Sequence, residues 1–339
     1  MVQIVSNKDE LSIYLSALTG LENAKVAVLV DSNTLEYCYP LIAEIEELHK
    51  CEILEVEPGE DSKSLEIAAH LWQSLQEFEF NRTDFLICLG GGVITDLGGF
   101  IASTFKRGMR FVHIPTSYTG MVDAAIGGKQ GLNFNGVKNQ IGVFNEPIVT
   151  LIYPEFLETL PERELNSGYI ETIKHALISN GGLWNKIVEE EPLSSSEIVR
   201  KSTEVKQGIV EQDPNEKDIR KALNFGHTVG HAFEAIYKSE LLHGEAVAIG
   251  LLVELQLSVE LLNFPLQEYK MIQNVISNFC PITVELNNVD ALIELMKHDK
   301  KNDGKGINFT LLNRIGGVEI NQYVAPDVIS SAIKKVFGK

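Results

Sequence analysis

His227 and His231 stand one helical turn apart in LNFGHTVGHAFEA (residues 223–235), in a chain that has only eight histidines. Residues four apart share a helix face, so both imidazoles can address one point. A third, His243, opens LLHGEAVAIG, and Glu171 and Lys174 lie on one face of an earlier helix. Neutral imidazoles and a carboxylate are the ligand set of a catalytic zinc, which keeps one position open for substrate. An isolated i, i+4 pair is more often two satisfied or solvated histidines than two ligands; the third histidine brings the two readings level. Spacing alone does not select which two of the three would bind.

Two glycine-rich stretches offer a different chemistry. In LGGGVITDLGGF (residues 89–100) three glycines end an apolar strand and a helix begins at once. Glycine lets a phosphate approach backbone N–H groups, and the helix N-terminus supplies partial positive charge. The run is not G-x-G-x-x-G, so taken alone it supports a phosphate site and a plain tight turn equally. Asp31 and Asn33 follow the first strand, where open α/β sheets bind ligands, although such residues often serve only as turn formers. In VDAAIGGKQGLNFNGVKNQIG (residues 122–142) Lys129, Lys138 and Asn139 ride on a loop-like run after Pro115. Ammonium groups there suit a phosphate or carboxylate; a solvated loop is the commoner case, and Asp123 beside them can share their protons.

The elements that must carry these residues follow from periodicity. Residues 25–30 (KVAVLV), 84–89 (DFLICL), 110–114 (RFVHI) and 148–152 (IVTLI) read as short apolar strands, and 52–56 looks like another strand. Helical stretches separate them, one running from the first strand to about His49 and another over 62–78, which is a βαβ series and demands a parallel sheet. From about residue 154 the periodicity turns helical, over 163–179, 193–212, 219–237, 244–262 and 325–337, so the second half is mainly α. The boundary near 155 carries no Gly/Ser- or Pro-rich linker, and no repeat at a fixed period is visible.

Bulk properties narrow the partners. A chain of 339 residues is long enough for two cores. Acidic residues outnumber basic ones 47 to 29, a net charge of −18, which argues against nucleic acid or an anionic membrane as partner. An anionic small molecule must therefore meet a local cluster of Lys and Arg. The N-terminal stretch lacks a secretory pattern and no segment approaches eighteen uninterrupted apolar residues, so the expected location is the cytoplasm. Cys38, Cys51, Cys88 and Cys280 lie far apart without metal-binding spacing and read as buried apolar side chains in a reducing compartment.

Taken in order, GGGVITD, RGMRFVHIPTS, VDAAIGGKQGLN, KNQIG, LPERELNSGYIETIKHALI, DPNEKDIRKALNFGHTVGHAFEA, LHGEAVAIG and DKKNDGKGINFTLLNRIG resemble the 3-dehydroquinate synthase family from about Asp31 to Gly316. The resemblance implies an α/β Rossmann-like NAD-binding domain over 1–155 and a mainly α-helical metal- and substrate-binding domain over 156–339. It implies metal ligands at Glu171, His227 and His243, with zinc or cobalt as the ion, so that His227 grips the ion while His231 faces substrate. It places the nucleotide on Gly91, Gly92, Val93 and Asp96, with Asp31, Asn33, Glu60, Lys63, Thr116 and Ser117 around it. Catalytic contacts carry over to Asp123, Lys129, Asn139, Lys174, Lys206, Arg220, Asn224 and His231, and substrate-binding contacts to Lys138 and one of Lys300 and Lys301. Arg107 matches a residue that reaches into a neighbouring subunit's site, which implies a homodimer.

The activity implied is that of a carbon–oxygen lyase acting on a phosphate, in the shikimate pathway of aromatic amino acid biosynthesis. Its substrate is 3-deoxy-D-arabino-heptulosonate 7-phosphate and its products are 3-dehydroquinate and phosphate. Ala124, Ala125, Gln130 and Asp218 depart from the commonest family pattern, and none is an implied metal ligand or charged contact. Another sugar-phosphate cyclase, making 2-deoxy-scyllo-inosose or an epi-valiolone, is the nearest alternative; a metal-dependent NAD alcohol or polyol dehydrogenase is a further one.

Overall fold

The apolar runs pair side by side because strands linked by helical crossovers lie parallel. The computed structural model describes residues 1–19, 24–180, 182–189, 195–238, 240–297 and 306–338. Its strands are β1 (Val2–Ile4), β2 (Val26–Asp31), β3 (Glu52–Val56), β4 (Phe85–Gly90), β5 (Arg110–Pro115), β6 (Lys129–Phe134), β7 (Val137–Phe144), β8 (Val149–Ile152), β9 (Ile307–Arg314) and β10 (Gly317–Val324). Six of them form one sheet in the order β1-β8-β5-β4-β2-β3, every neighbouring pair parallel. This is the parallel sheet that the alternation predicts and the Rossmann-like α/β core that the resemblance implies.

The chain divides into two compact units, Met1–Pro161 with Ser194–Arg200, and Glu162–Leu193 with Lys201–Lys339. In the first unit β4 is buried at every position and β2 at all but its last. Strands covered on both faces read as continuous apolar runs, as VAVLVD and FLICLG do. Successive strands step outward from β2 to β3 and in the opposite direction from β4 to β5, so the order reverses between β2 and β4. Ligand crevices in such sheets open at this reversal, at the carboxyl ends of the strands. Asp31 ends β2, and Gly90 ends β4 in register with Pro115 of β5.

The helices of this unit are α1 (Lys8–Thr19), α2 (Ser32–Tyr37), α3 (Tyr39–Ile42), α4 (Leu65–Glu77) and α5 (Gly92–Thr104). The continuous helix expected after β2 is instead broken into α2, α3 and a 3-10 turn, Glu46–Leu48. Pro40 explains the break: it sits in the first turn of α3, where its missing N–H is harmless, and disfavours helical backbone just before it. Residues 129–144, which overlap the run 122–142 read from sequence as loop-like, form the antiparallel hairpin β6–β7. Its turn is Asn135-Gly136, both left-handed with φ of 50° and 76°, the pairing that a two-residue hairpin loop requires.

The second unit holds α6 (Glu162–Ile178), α7 (Gly182–Val188), most of α8 (Ser196–Gln212), α9 (His227–Ile236), α10 (His243–Leu262), α11 (Leu266–Phe279), α12 (Val289–Lys297) and α13 (Pro326–Val336). Its core gathers Val229, Phe233, Ile249, Val253, Phe309 and Ile333, all at most 1% exposed. It also contains a hairpin, β9–β10, where helical periodicity predicted none. The single helix expected over 219–237 is two elements, a 3-10 turn at Ile219–Asn224 and then α9. Gly226 separates them with a left-handed φ of 82°. Among the described residues, no helix is long and apolar enough to cross a membrane.

Candidate metal and nucleotide centres

Three helices of the second unit carry the candidate ligands: α6 Glu171, α9 His227 and α10 His243. Their approach depends on glycine. A Cβ at Gly244 would lie 1.8 Å from the Ser167 carbonyl oxygen of α6, and one at Gly250 would lie 1.8 Å from the Gly226 oxygen at the start of α9. Neither position tolerates a side chain while the backbones remain where they are.

The close packing brings His243 Nε2 to 3.2 Å and His227 Nε2 to 3.6 Å from Glu171 Oε1. One ligand atom from each of the three residues lies within 4.8 Å of the other two. Two donors each about 2.1 Å from a tetrahedral ion would lie about 3.4 Å apart, so this donor set fits a zinc-like ion. Glu171 is fully buried and pairs with Lys174, itself 1% exposed. His227 Nδ1 lies 3.1 Å from its own chain's Phe225 oxygen. As a donor to that carbonyl, Nδ1 carries the proton and leaves the Nε2 lone pair toward Glu171.

Electrostatics separate the two imidazoles. Burial, then the Lys174 ammonium, depresses the pKa of His227 well below its ordinary value, outweighing the Glu171 carboxylate. Burial also works against charge on His243, yet hydrogen bonds with Glu171 and Glu234 raise it to about 10. Glu234 Oε2 lies 3.4 Å from His243 Nδ1, the position of a carboxylate that orients a ligating imidazole. His231 is exposed, its ring centroid 5.3 Å from that of His227 and 6.2 Å from that of His243.

Other predicted contacts of this unit are buried cations in an acidic chain. Lys174, Lys206 and Arg220 are 1%, 7% and 1% exposed. Such burial is rare unless an anion partners the group. Arg220 and Asn224 lie in the 3-10 turn before α9, where Arg220 Nη1 donates to the Pro214 oxygen at 2.6 Å and Asn224 Nδ2 to Glu216 at 2.8 Å. Asp213 organises this loop by accepting from the backbone N–H groups of Lys217, Asp218 and Arg220. Desolvation opposes its charge, but those hydrogen bonds leave its carboxyl below the ordinary range. Lys300 and Lys301 lie outside the described residues.

In the first unit Gly91 is the N-cap of α5, and the first turn of that helix carries no acidic residue. A Cβ at Gly91 would meet Ser117 Oγ, and one at Gly92 the Ala124 Cβ, each at 3.1 Å. Unblocked first-turn N–H groups on a helix of thirteen residues fit a diphosphate. Lys63 is 4% exposed and donates to Asp96 at 2.5 Å and to Asn139 at 2.6 Å, with Glu60 at 4.0 Å. Burial pushes the Asp96 carboxyl above its ordinary pKa, against the lowering effect of Lys63. Asp31 serves its own helix, accepting from Thr34 N at 2.8 Å as N-cap of α2, with Asn33 exposed in that first turn.

The rest of the predicted set in this unit is looser. Val93 is half-buried in the first turn of α5, Thr116 is buried and Ser117 half-buried just past β5, and Asp123 sits in a π-helical turn, Gly120–Ala124. Lys129 and Lys138 lie exposed on β6 and β7. Arg107 is exposed and left-handed at φ 64°, directly after Lys106 at φ 49°. Two consecutive non-glycine residues in that region store strain.

Sequence reasoning missed Glu234, Glu254, Asp213 and the Arg163–Glu245 pair. Glu254 carries the clearest signal, a lone charge inside the apolar run AIGLLVELQL of α10.

A parallel sheet with a reversal at β2/β4 and a mainly helical unit make up a fold found in solved cyclising synthases and dehydrogenases. A 2-epi-5-epi-valiolone synthase from Streptomyces hygroscopicus, solved with NAD+ and Zn2+ bound, superposes with a TM-score of 0.86 at 24% identity, covering 99% of this chain and 96% of that one. A 2-deoxy-scyllo-inosose synthase complexed with carbaglucose-6-phosphate, NAD+ and Co2+ gives 0.86 at 20% identity, covering 98% and 96%. A glycerol dehydrogenase from Schizosaccharomyces pombe gives 0.67 at 17%, covering 99% and 88%. At these identities the likeness is one of fold.

Sequence comparison is narrower. The family models 3-dehydroquinate synthase N-terminal and C-terminal match residues 53–167 and 168–302. A 3-dehydroquinate synthase from Parabacteroides distasonis is 42% identical over 340 aligned residues, 98% of this chain and 96% of its own, and one from Campylobacter concisus is 35% identical, covering 95% of each. The chain belongs to the 3-dehydroquinate synthase family.

Proposed function

We propose that this chain converts 3-deoxy-D-arabino-heptulosonate 7-phosphate to 3-dehydroquinate and phosphate. It would act as a carbon–oxygen lyase in the cytoplasm and as a homodimer in which Arg107 serves the neighbouring subunit's site. The observation that carries the reading is the convergence of Glu171, His227 and His243 in a chain of this family. When bound, NAD+ would accept a hydride from C5 of the substrate and give it back to C5 after phosphate has left, so that no net oxidation results, and zinc or cobalt would supply a Lewis acid for the substrate's hydroxyl groups.

The chain's residues have distinct work in this reading. Gly91, Gly92 and Val93 would take the nucleotide's diphosphate on the N-terminus of α5, with Asp31, Asn33, Glu60, Lys63, Asp96, Thr116 and Ser117 around the rest. Glu171, His227 and His243 would hold the metal. Lys174, Lys206, Arg220 and Asn224 would bind the substrate's anionic and hydroxyl groups, with Lys138, Lys300 or Lys301 completing the charge. A ketone at C5 of the substrate acidifies the proton at C6, and the substrate's own phosphate oxygen can accept that proton as phosphate leaves. Lys129, Asn139 and His231 would steady the charge that develops, and Asp123 would share protons with Lys129. With C5 reduced again and the sugar ring opened, holding the enol in one orientation and away from water would favour intramolecular aldol closure over side reactions.

The test is to incubate purified protein with the heptulosonate phosphate, NAD+ and zinc while following phosphate release and NADH absorbance together. Stoichiometric phosphate without NADH accumulation is the expected result. Accumulating NADH would assign a dehydrogenase instead, and turnover only of another sugar phosphate would assign a different cyclase.

A further inference from the structure

We infer that Glu254 is a positioning residue for His227, acting through the single peptide unit that joins Phe225 to Gly226. The inference rests on reading Glu171, His227 and His243 as a metal centre. Glu254 lies on α10 with no exposed surface, in a helix whose other buried positions are almost all apolar. Its carboxylate accepts from Gly226 N at 2.6 Å and from Val229 N at 3.3 Å. These are the N-cap and third residues of α9, so Glu254 supplies from another helix the capping oxygen that Gly226, having no side chain, cannot.

The peptide so held is the one that His227 uses. The N–H at Gly226 and the C=O at Phe225 belong to one planar trans unit and point to opposite sides. Glu254 takes the N–H on one side; on the other, the C=O takes the Nδ1 proton of His227 at 3.1 Å. A negative charge on the N–H side polarises the amide and makes its oxygen a stronger acceptor. The imidazole is thereby fixed in tautomer and ring angle, with Nε2 toward Glu171, the service that Glu234 performs directly for His243. Contact between the Gly250 and Gly226 backbones allows the arrangement, because it brings α10 close enough for a glutamate to reach the start of α9.

Glu254→Gln keeps an acceptor but removes the charge. Ser258→Ala is the control for stability alone, since Ser258 donates to the Glu254 backbone oxygen and accepts from Leu312 N without touching the relay. Three quantities would be measured on full-length protein: the zinc dissociation constant by chelator competition, the visible d–d spectrum with cobalt, and the melting temperature of the metal-free form. Expected for the Gln variant are zinc affinity lowered by about tenfold and an altered cobalt spectrum. Expected for Ser258→Ala is a lower melting temperature with both metal readouts as in wild type. If the Gln variant does not fold, Glu254→Asp, which keeps the charge and shortens its reach, is put through the same measurements. A Glu254 variant that only melts earlier, binding zinc and cobalt as wild type does, overturns the inference. Wild-type protein that binds neither ion at Glu171, His227 and His243 removes the metal centre itself, a separate failure.

Discussion

The start of α5 and the cluster on α6, α9 and α10 are two candidate sites made by opposite means. At α5 the chain offers space and backbone: Gly91 and Gly92 leave room, and helix N–H groups face it. At the cluster it offers side chains, and every one needs support. Glu171 is matched by Lys174, His243 by Glu234, and His227 by the Phe225 carbonyl. A backbone site works by leaving atoms out and needs little upkeep. A side-chain site must also neutralise and orient what it installs, so each of its three ligands brings a supporting residue with it.

Breaking a ligand should have the largest effect. Glu171→Gln removes an anionic donor and leaves Lys174 buried without its counter-charge. Activity should fall on the order of a thousandfold, zinc content should drop in metal analysis, and stability should fall by about 3 kcal/mol in denaturant unfolding. NAD+ affinity, read by calorimetric titration, should stay near wild type; a parallel loss of both would show that the two sites are not separate constructions.

Next is Gly91→Val, which fills the space in front of Ser117 Oγ. NAD+ affinity should weaken tenfold or more, about 1.4 kcal/mol, with zinc content unchanged. Unchanged NAD+ affinity would make the glycine run an ordinary turn. Glu234→Gln should lower zinc affinity by about tenfold while sparing NAD+, which checks whether support around a ligand carries measurable energy.

The smallest expected effect lies at the rim. Arg163 Nε and Nη2 reach Glu245 at 2.7 and 2.8 Å, at the start of the helix that carries His243. Desolvation opposes the charge on Glu245, but the Arg163 hydrogen bond, with Leu242 N, leaves its carboxyl below the ordinary 4.5. A carboxyl depressed by folding adds stability above its unfolded pKa and loses it as pH falls through the folded one. Arg163→Ala should therefore lower the melting temperature at neutral pH, with the gap to wild type closing below pH 4.5. Because Arg163 is 59% exposed, the gap should correspond to no more than about 0.5 kcal/mol.

The two sites also differed in how legible they were. The parallel sheet could be read because buried strands are bare apolar runs, and β2, β4, β5 and β8 each fall on one, whereas β3, EILEV, is partly exposed and carries two glutamates. Residues 122–142 were read as a loop because glycines masked the period of two, although Asn135-Gly136 was a hairpin signal in plain view. The helix expected after β2 failed at Pro40, and the one expected over 219–237 failed at Gly226, both familiar breakers outvoted by periodicity. Spacing could bring His227, His231 and His243 into one neighbourhood but could not rank them. The ranking depends on Glu171, more than fifty residues earlier in sequence, and on rings whose directions are set by Phe225 and Glu234. Glu254 stood out as a lone charge in an apolar run, but its role stayed unread because its partners are backbone N–H groups, which no residue type advertises.

The contacts of Gly244 with Ser167 and of Gly250 with Gly226 leave three helices with no slack where they cross. A coordination shell mounted on such a frame cannot adjust itself to its guest. Selectivity among divalent ions would then be a matter of ionic radius and preferred bond angles, set by how two hydrogens fit against two carbonyl oxygens.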